Sequence, residues 1–207
     1  LAATLLAAVL GVAPHASAAS RGVIEANALL GFPSGGTFAE GWSTGWGIGG
    51  ALRWRIGTHV QIGVEADFMQ FKFDGLEGLA PLGGERRFTR AAVPLRMALW
   101  EHKSAGRERL SLQVSGGWAW QSIEGTFGSA DSELLSPAET DDGMAITGGL
   151  RFSRTLYGGT RWSAELRYTR IDLQLEDARH VALVLGIEMP LDGSRPHDSR
   201  PYGPRPH

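Results

Sequence analysis

Apolar and polar residues alternate with a period of two along most of the chain, most clearly from Met144 to Tyr168. Met144, Ile146, Leu150 and Phe152 share one face of the first run, with Thr147, Arg151 and Ser153 on the other. In the second run Trp162, Ala164, Leu166 and Tyr168 oppose Ser163, Glu165 and Arg167. The turn between them is Tyr157-Gly158-Gly159-Thr160, so the pattern predicts a β-hairpin. Centring the turn on Gly158 sets Arg151 opposite Glu165 and Tyr168 opposite Gly148. Charges in mid-strand, flanked by large apolar residues, fit either a soluble half-buried sheet or a strand pair of a membrane barrel.

The same alternation predicts six further strands, which makes eight. Gly22–Phe32 carries Ile24, Ala26, Ala28, Leu30 and Phe32 on one face and Glu25 and Asn27 on the other. Trp46–Ile56 sets Trp46, Ile48, Leu52, Trp54 and Ile56 against Arg53 and Arg55. The third strand, from Val60, sets Ile62, Val64 and Phe68 against Gln61, Glu65 and Asp67. Phe71 and Phe73 then change parity, which predicts a bulge near Met69. Arg87–Trp100 sets Val93, Leu95, Met97 and Leu99 against Arg90 and Arg96, and Pro94 predicts a local irregularity. Trp100 falls on the parity of the charged face. Leu110–Gln121 alternates Leu112, Val114, Trp118 and Trp120 with Ser111, Gln113 and Ser115. His180–Leu191 sets Val181, Leu183, Leu185, Ile187 and Met189 against Ala182, Gly186 and Glu188. A further change of parity after Thr169 marks the loop end of the hairpin's second strand. The connections alternate long and short, with Ser122 to Asp142 the longest loop, as expected of a barrel with short turns at one end and long loops at the other.

The start of the chain bears on compartment. Leu1 to Val12 is uncharged and apolar, and Ala16-Ser17-Ala18 supplies a small-x-small cleavage pattern, so residues 1–18 are expected to be a signal peptide without its charged n-region. No later run is apolar enough for a membrane helix, so a membrane-spanning mature chain requires a closed barrel. Residues 19–191 would form it, and the Pro/Arg-rich residues 192–207 a disordered periplasmic tail. A net charge of -2 argues against a nucleic-acid partner, and the absence of cysteine removes disulfides and thiol chemistry.

The aromatic residues favour the membrane reading. Trp46, Trp118, Trp120 and Tyr168 fall towards the long loops, and Trp54, Trp100 and Trp162 near the short turns, as two interfacial girdles would. The polar faces together hold Glu25, Arg53, Arg55, Glu65, Asp67, Arg90, Arg96, Arg151, Glu165, Arg167 and Glu188. The interior of an eight-stranded barrel has room for side chains only, so these groups are expected to pair as a lumen charge network rather than line a channel. The fold class is therefore all-β, an eight-stranded antiparallel up-and-down transmembrane β-barrel. A soluble lipocalin-like binding barrel is the alternative.

Gly186, Met189 and Leu191 resemble the assembly signal of outer-membrane barrels, a glycine followed by apolar or aromatic residues three and five positions on. With the leader, Val93-Pro94-Leu95, and the GGLRF and ELRYTR segments, residues 19–191 resemble the small OmpA/OmpX-like β-barrel family. The resemblance implies a porin-like barrel of the Gram-negative cell envelope: an outer-membrane location, contact with outer-membrane lipid, passage through the barrel-assembly machinery, and a monomer. It implies a structural or interaction role, with the long outside loops contacting an unidentified extracellular or envelope partner.

Family members that are enzymes modify lipid A with a histidine, a serine and a carboxylate near the outer rim. Here only His180 has a suitable position, as a polar rim histidine, and no serine lies two residues beyond it. The acidic stretch Glu139, Asp141 and Asp142 lacks the spacing of a calcium loop. The expectation is no catalytic residue, no metal site and no cofactor, with a lipid A-modifying enzyme as the alternative.

Overall fold

A computed structural model describes residues 22–35, 41–73, 84–102, 107–127, 134–135, 139–156, 159–174 and 177–191. The expected leader and tail lie outside these residues. Nine strands follow in order: β1 (Gly22–Gly35), β2 (Gly45–Arg55), β3 (Val60–Phe73), β4 (Gly84–His102), β5 (Glu108–Phe127), β6 (Leu134–Leu135), β7 (Glu139–Thr155), β8 (Arg161–Leu173) and β9 (Asp177–Pro190). All pairings are antiparallel. Each long strand pairs with its neighbour in sequence, β5 with β7 across the short β6, and β9 returns to β1. Eight strands thus close an up-and-down barrel, and two-residue β6 is an appendage on the end of β5.

The central hairpin has the register expected from its turn: Arg151 pairs with Glu165 and Gly148 with Tyr168. Gly159 takes φ 85° in the connection, a left-handed conformation that glycine adopts without steric cost. β5 and β7 continue well into the stretch read as the longest loop, with Trp120 opposite Asp142 and Ser122 opposite Thr140. Their polar outward residues can be solvated there, so the ladder outlasts the apolar pattern.

The expected bulge near Met69 is absent. Pairing of β3 runs unbroken through Met69 on both sides, opposite Gly47 and Phe88. Met69 (2% exposed) and Phe71 (0%) point inward on the same parity as Glu65, because the inner face itself turns apolar at the loop end. The same holds after Thr169, where Ile171 and Leu173 continue the inward parity without a phase change. With Leu29, Phe88, Ala119, Ala145, Ala178, Ala182 and Val184 they form an apolar cluster, and Trp42 packs against it. On β1, β3 and β9 these residues lie on the loop side of Glu25, Asp67 and Glu188, whereas on β4 Phe88 stands between Arg86 and Arg90.

Gly31 and Gly45 oppose each other across β1 and β2 and make room for this cluster. A Cβ on Gly31 would meet Met69 and Phe71, and one on Gly45 would meet Phe71. Pro94 does interrupt the β3–β4 ladder, whose pairs pass from Ile62 opposite Leu95 to Glu65 opposite Ala92. A second irregularity, between Ala98 and Trp100 on β4 against β5, resolves the parity of Trp100: one extra residue turns its ring outward.

Candidate functional site

Glu25 on β1 is the hub of the interior. It accepts hydrogen bonds from Arg53 Nη1, from Arg96 Nη2 (3.2 Å) and from Arg151 Nη1 (2.6 Å). From Arg53 the contacts continue to Glu65 (3.5 Å), from Glu65 to Arg90 (2.9 Å), and from Arg90 to Asp67. Asp67 pairs with Arg167 (3.3 Å), Arg167 with Glu165 (2.8 Å), and Glu165 with Arg151 (3.3 Å), which returns to Glu25. The eight groups make a closed circuit of alternating sign. Arg96 and Arg151 also both reach Glu188, at 2.6 and 2.8 Å, closing a second, smaller loop through Glu25.

Five arginines and five carboxylates take part, so the formal charges cancel, and each group touches at least two of opposite sign. Taking one such ion out of water costs several kcal/mol, and only multiple partners in good geometry offset that. β5 contributes no charge to this network, its buried Arg109 pairing with Glu101 (3.1 Å). Its Gln113 instead donates to Glu65 (2.9 Å) and accepts from Arg53 (3.2 Å) and Arg96 (2.9 Å). Arg90 further donates to Ser115 and Thr147, and Arg151 to Ser163. Alternation had placed Gln113, Ser115, Thr147 and Ser163 on the polar faces; their part in the network depends on cross-barrel distances that one strand does not encode.

Of the charged residues read from the sequence as lumen groups, nine are buried and Asp67 is half-buried. Arg55 is the correction. It keeps the inward parity of Arg53, but as the last residue of β2 it is exposed and stays outside the circuit. Arg86, which begins the inward parity of β4, was not singled out in the sequence; it is buried, donates to Gln121 (2.8 Å) and sits over the Trp42 and Phe88 rings.

Trp46, Trp54, Trp100, Trp118, Trp120 and Tyr168 point outward and are exposed, and Trp162 is half-buried beside Phe152. Met189 and Leu191 are exposed outside, and Gly186 is buried where a Cβ would meet Asn27 and Ser163.

His180 is not a rim residue. It is 4% exposed inside the barrel, with its ring beside Phe71 (5.7 Å) and Phe88 (6.2 Å), and Nδ1 makes no hydrogen bond. Among the described residues no group of three or more histidines and carboxylates could hold a metal ion.

The outer wall reverses the usual distribution. Ile48 (61% exposed), Leu166 (62%) and Leu185 (53%) are among many large apolar side chains that point away from the charged interior. A closed antiparallel barrel with ion pairs inside and an apolar wall outside is a transmembrane β-barrel of the outer-membrane class.

Solved structures share this fold. Neisserial surface protein A superimposes with a TM-score of 0.54 at 12% identity, over 81% of this chain and 96% of that one. Ail, the attachment invasion locus protein of Yersinia pestis, gives 0.48 at 15% identity, over 82% and 97%. The N-terminal β-barrel domain of Pseudomonas aeruginosa OprF gives 0.42 at 16% identity, over 82% and 99%. No protein-family model matches the chain, and no curated protein matches it.

Proposed function

We propose that this outer-membrane barrel has a structural or interaction role at the cell envelope, with a lumen closed by its own side chains and the long loops as contact surface. The observation that carries this reading is the closed charge circuit. Glu25, Arg96, Arg151 and Glu188 belong to four strands and meet across the barrel within hydrogen-bonding distance, so their side chains occupy the space that a water-filled channel would need. The apolar cluster closes over them on the loop side. Planar-bilayer recordings on the purified barrel test this. The expected result is no stable large conductance; a steady open level that persists across preparations overturns the closed lumen.

The same reading takes residues 1–18 as a cleaved leader, delivery by the barrel-assembly machinery with Gly186, Met189 and Leu191 as the signal, and a monomer in the bilayer. It takes the protein as non-enzymatic. The place of His180 supports this, since a histidine enclosed by Phe71 and Phe88 inside the barrel does not face lipid. The lipid profile of cells carrying His180→Ala should match that of the wild type; an altered acyl pattern would revive the enzyme alternative.

A further inference from the structure

Among the described residues, a cavity of about 330 Å³ lies on the outer wall at the loop end between β3, β4, β5 and β7. Phe68, Thr89, Trp120 and Asp142 stand side by side in one cross-strand row that lines it. Thr89 is the low point between two aromatic walls, and Phe68 is braced by the edge of the Trp46 ring at 6.3 Å. The next row towards the loops, Arg87, Ser122 and Thr140, is polar. Both guanidinium arms of Arg87 are engaged, by Glu85 (2.7 Å) and Glu124 (3.1 Å). Asp142 accepts a hydrogen bond from Trp118 Nε1 on Oδ2 (2.7 Å), and among the described residues its Oδ1 accepts none. The cavity thus offers an aromatic wall, hydroxyls and an acceptor oxygen, beside a cation already neutralised.

The row below this cavity continues as a shallow trough. Ala91, Ala66, Gly50 and Ala26 follow one another in register from β4 to β1. Ile48 and Phe68 rise above it, and Ile24, Leu52, Val64 and Val93 below. Cross-strand rows lie perpendicular to strands that tilt ~35–45° in such barrels, so the trough runs obliquely. It descends: Ala91 lies beyond the middle of β4 towards the loops, whereas Ala26 is near the turn end of β1. Three strand spacings of ~4.8 Å give it about 14 Å of length, and side chains two residues apart leave it one acyl chain wide.

We propose that this cavity and trough bind one membrane glycolipid, the sugar held against Trp120 with its hydroxyls donating to Asp142 Oδ1, and an acyl chain laid along Ala91, Ala66, Gly50 and Ala26. The inference rests on the membrane placement argued above. The chemistry selects a hydroxyl-bearing headgroup over an anionic one. A phosphate would face Asp142, Glu85 and Glu124, with Arg87 already paired. Polar groups that converge at the mouth of an apolar groove are the general form of a small-ligand site.

The test uses the full-length barrel in phosphatidylcholine nanodiscs doped with monoglucosyl diacylglycerol, phosphatidylglycerol or plain diacylglycerol of matched acyl chains, with retained lipid counted by native mass spectrometry. The wild type is expected to retain the glucosyl lipid about tenfold over the other two, the size of one hydrogen bond to a charged acceptor. Asp142→Ala and Trp120→Ala should abolish that preference, and Ala91→Leu, which fills the trough, should lower retention of the glucosyl lipid. Leu166→Ala, on the opposite wall, should change nothing. Heat-modifiable migration in gels reports folding of each variant, and Ala66→Leu stands in if Ala91→Leu does not fold. Equal retention of the three lipids, or a preference that survives Asp142→Ala and Trp120→Ala, overturns the site. A wild type that fails to enter nanodiscs overturns the membrane reading instead.

Discussion

Glu25 and Arg151 are 126 residues apart on strands that are not neighbours, and Glu25 Oε1 accepts a hydrogen bond from Arg151 Nη1 across the interior at 2.6 Å. Glu25 answers two further guanidiniums, Arg53 and Arg96. Glu25→Gln keeps its shape and removes its charge, leaving three buried cations short of an anion. The expected loss is about 3–5 kcal/mol of barrel stability. Arg55→Gln, outside the circuit, should stay within ~0.5 kcal/mol. Urea midpoints followed by tryptophan fluorescence measure both, and indistinguishable midpoints would show the circuit contributes nothing.

The hairpin register can be checked without disturbing the charges. Gly148 and Tyr168 are paired and face outward. Gly148→Cys with Tyr168→Cys should form a disulfide on oxidation of the folded barrel, whereas Gly148→Cys with Leu166→Cys, two residues off register, should not. The reverse result would shift the strand.

Gly31 faces the Met69 and Phe71 side chains, and an added Cβ would stand 3.0 Å from Phe71 Cζ and closer still to Met69 Cε. Gly31→Ala should destabilise by about 1–3 kcal/mol through overpacking. Phe71→Leu should recover part of that, giving a favourable coupling in a double-mutant cycle. Strict additivity would mean that the two residues do not compete for space.

Leu166, in the middle of β8, is 62% exposed. Leu166→Arg should cost ~2–4 kcal/mol and reduce insertion, because the position faces hydrocarbon. Folding yield into lipid vesicles measures this. In a soluble barrel the same substitution would be nearly neutral, so an unchanged yield counts against the membrane wall.

Strand number, order and the outward or inward sense of most residues were legible from the alternation of Ile24 with Glu25 or Leu166 with Glu165. The interior's change of character was not. Phe71 and Ile171 break the polar–apolar pattern while keeping the backbone parity, and sequence alone reads that as a bulge near Met69 and a change of parity after Thr169. The opposite failure occurs at Trp100, where a true irregularity restores the outward face. Hydropathy tracks parity only while each face has one kind of surroundings. Arg55 shows a further limit, since correct parity at a strand end still leaves the side chain in the open. The cross-lumen partners of Glu25 come from curvature and closure, which local pattern does not contain.

Glu25 and Glu188 lie directly opposite each other where β1 meets β9, the seam that joins the beginning of the barrel to its end. Two facing carboxylates repel, and here Arg96 and Arg151 each fork across both. Those arginines come from β4 and β7, so the first and last strands meet over cations supplied from elsewhere in the wall. The closing seam thus depends on charges that neither of its own strands carries, with Arg53 of β2 as a further cation on Glu25.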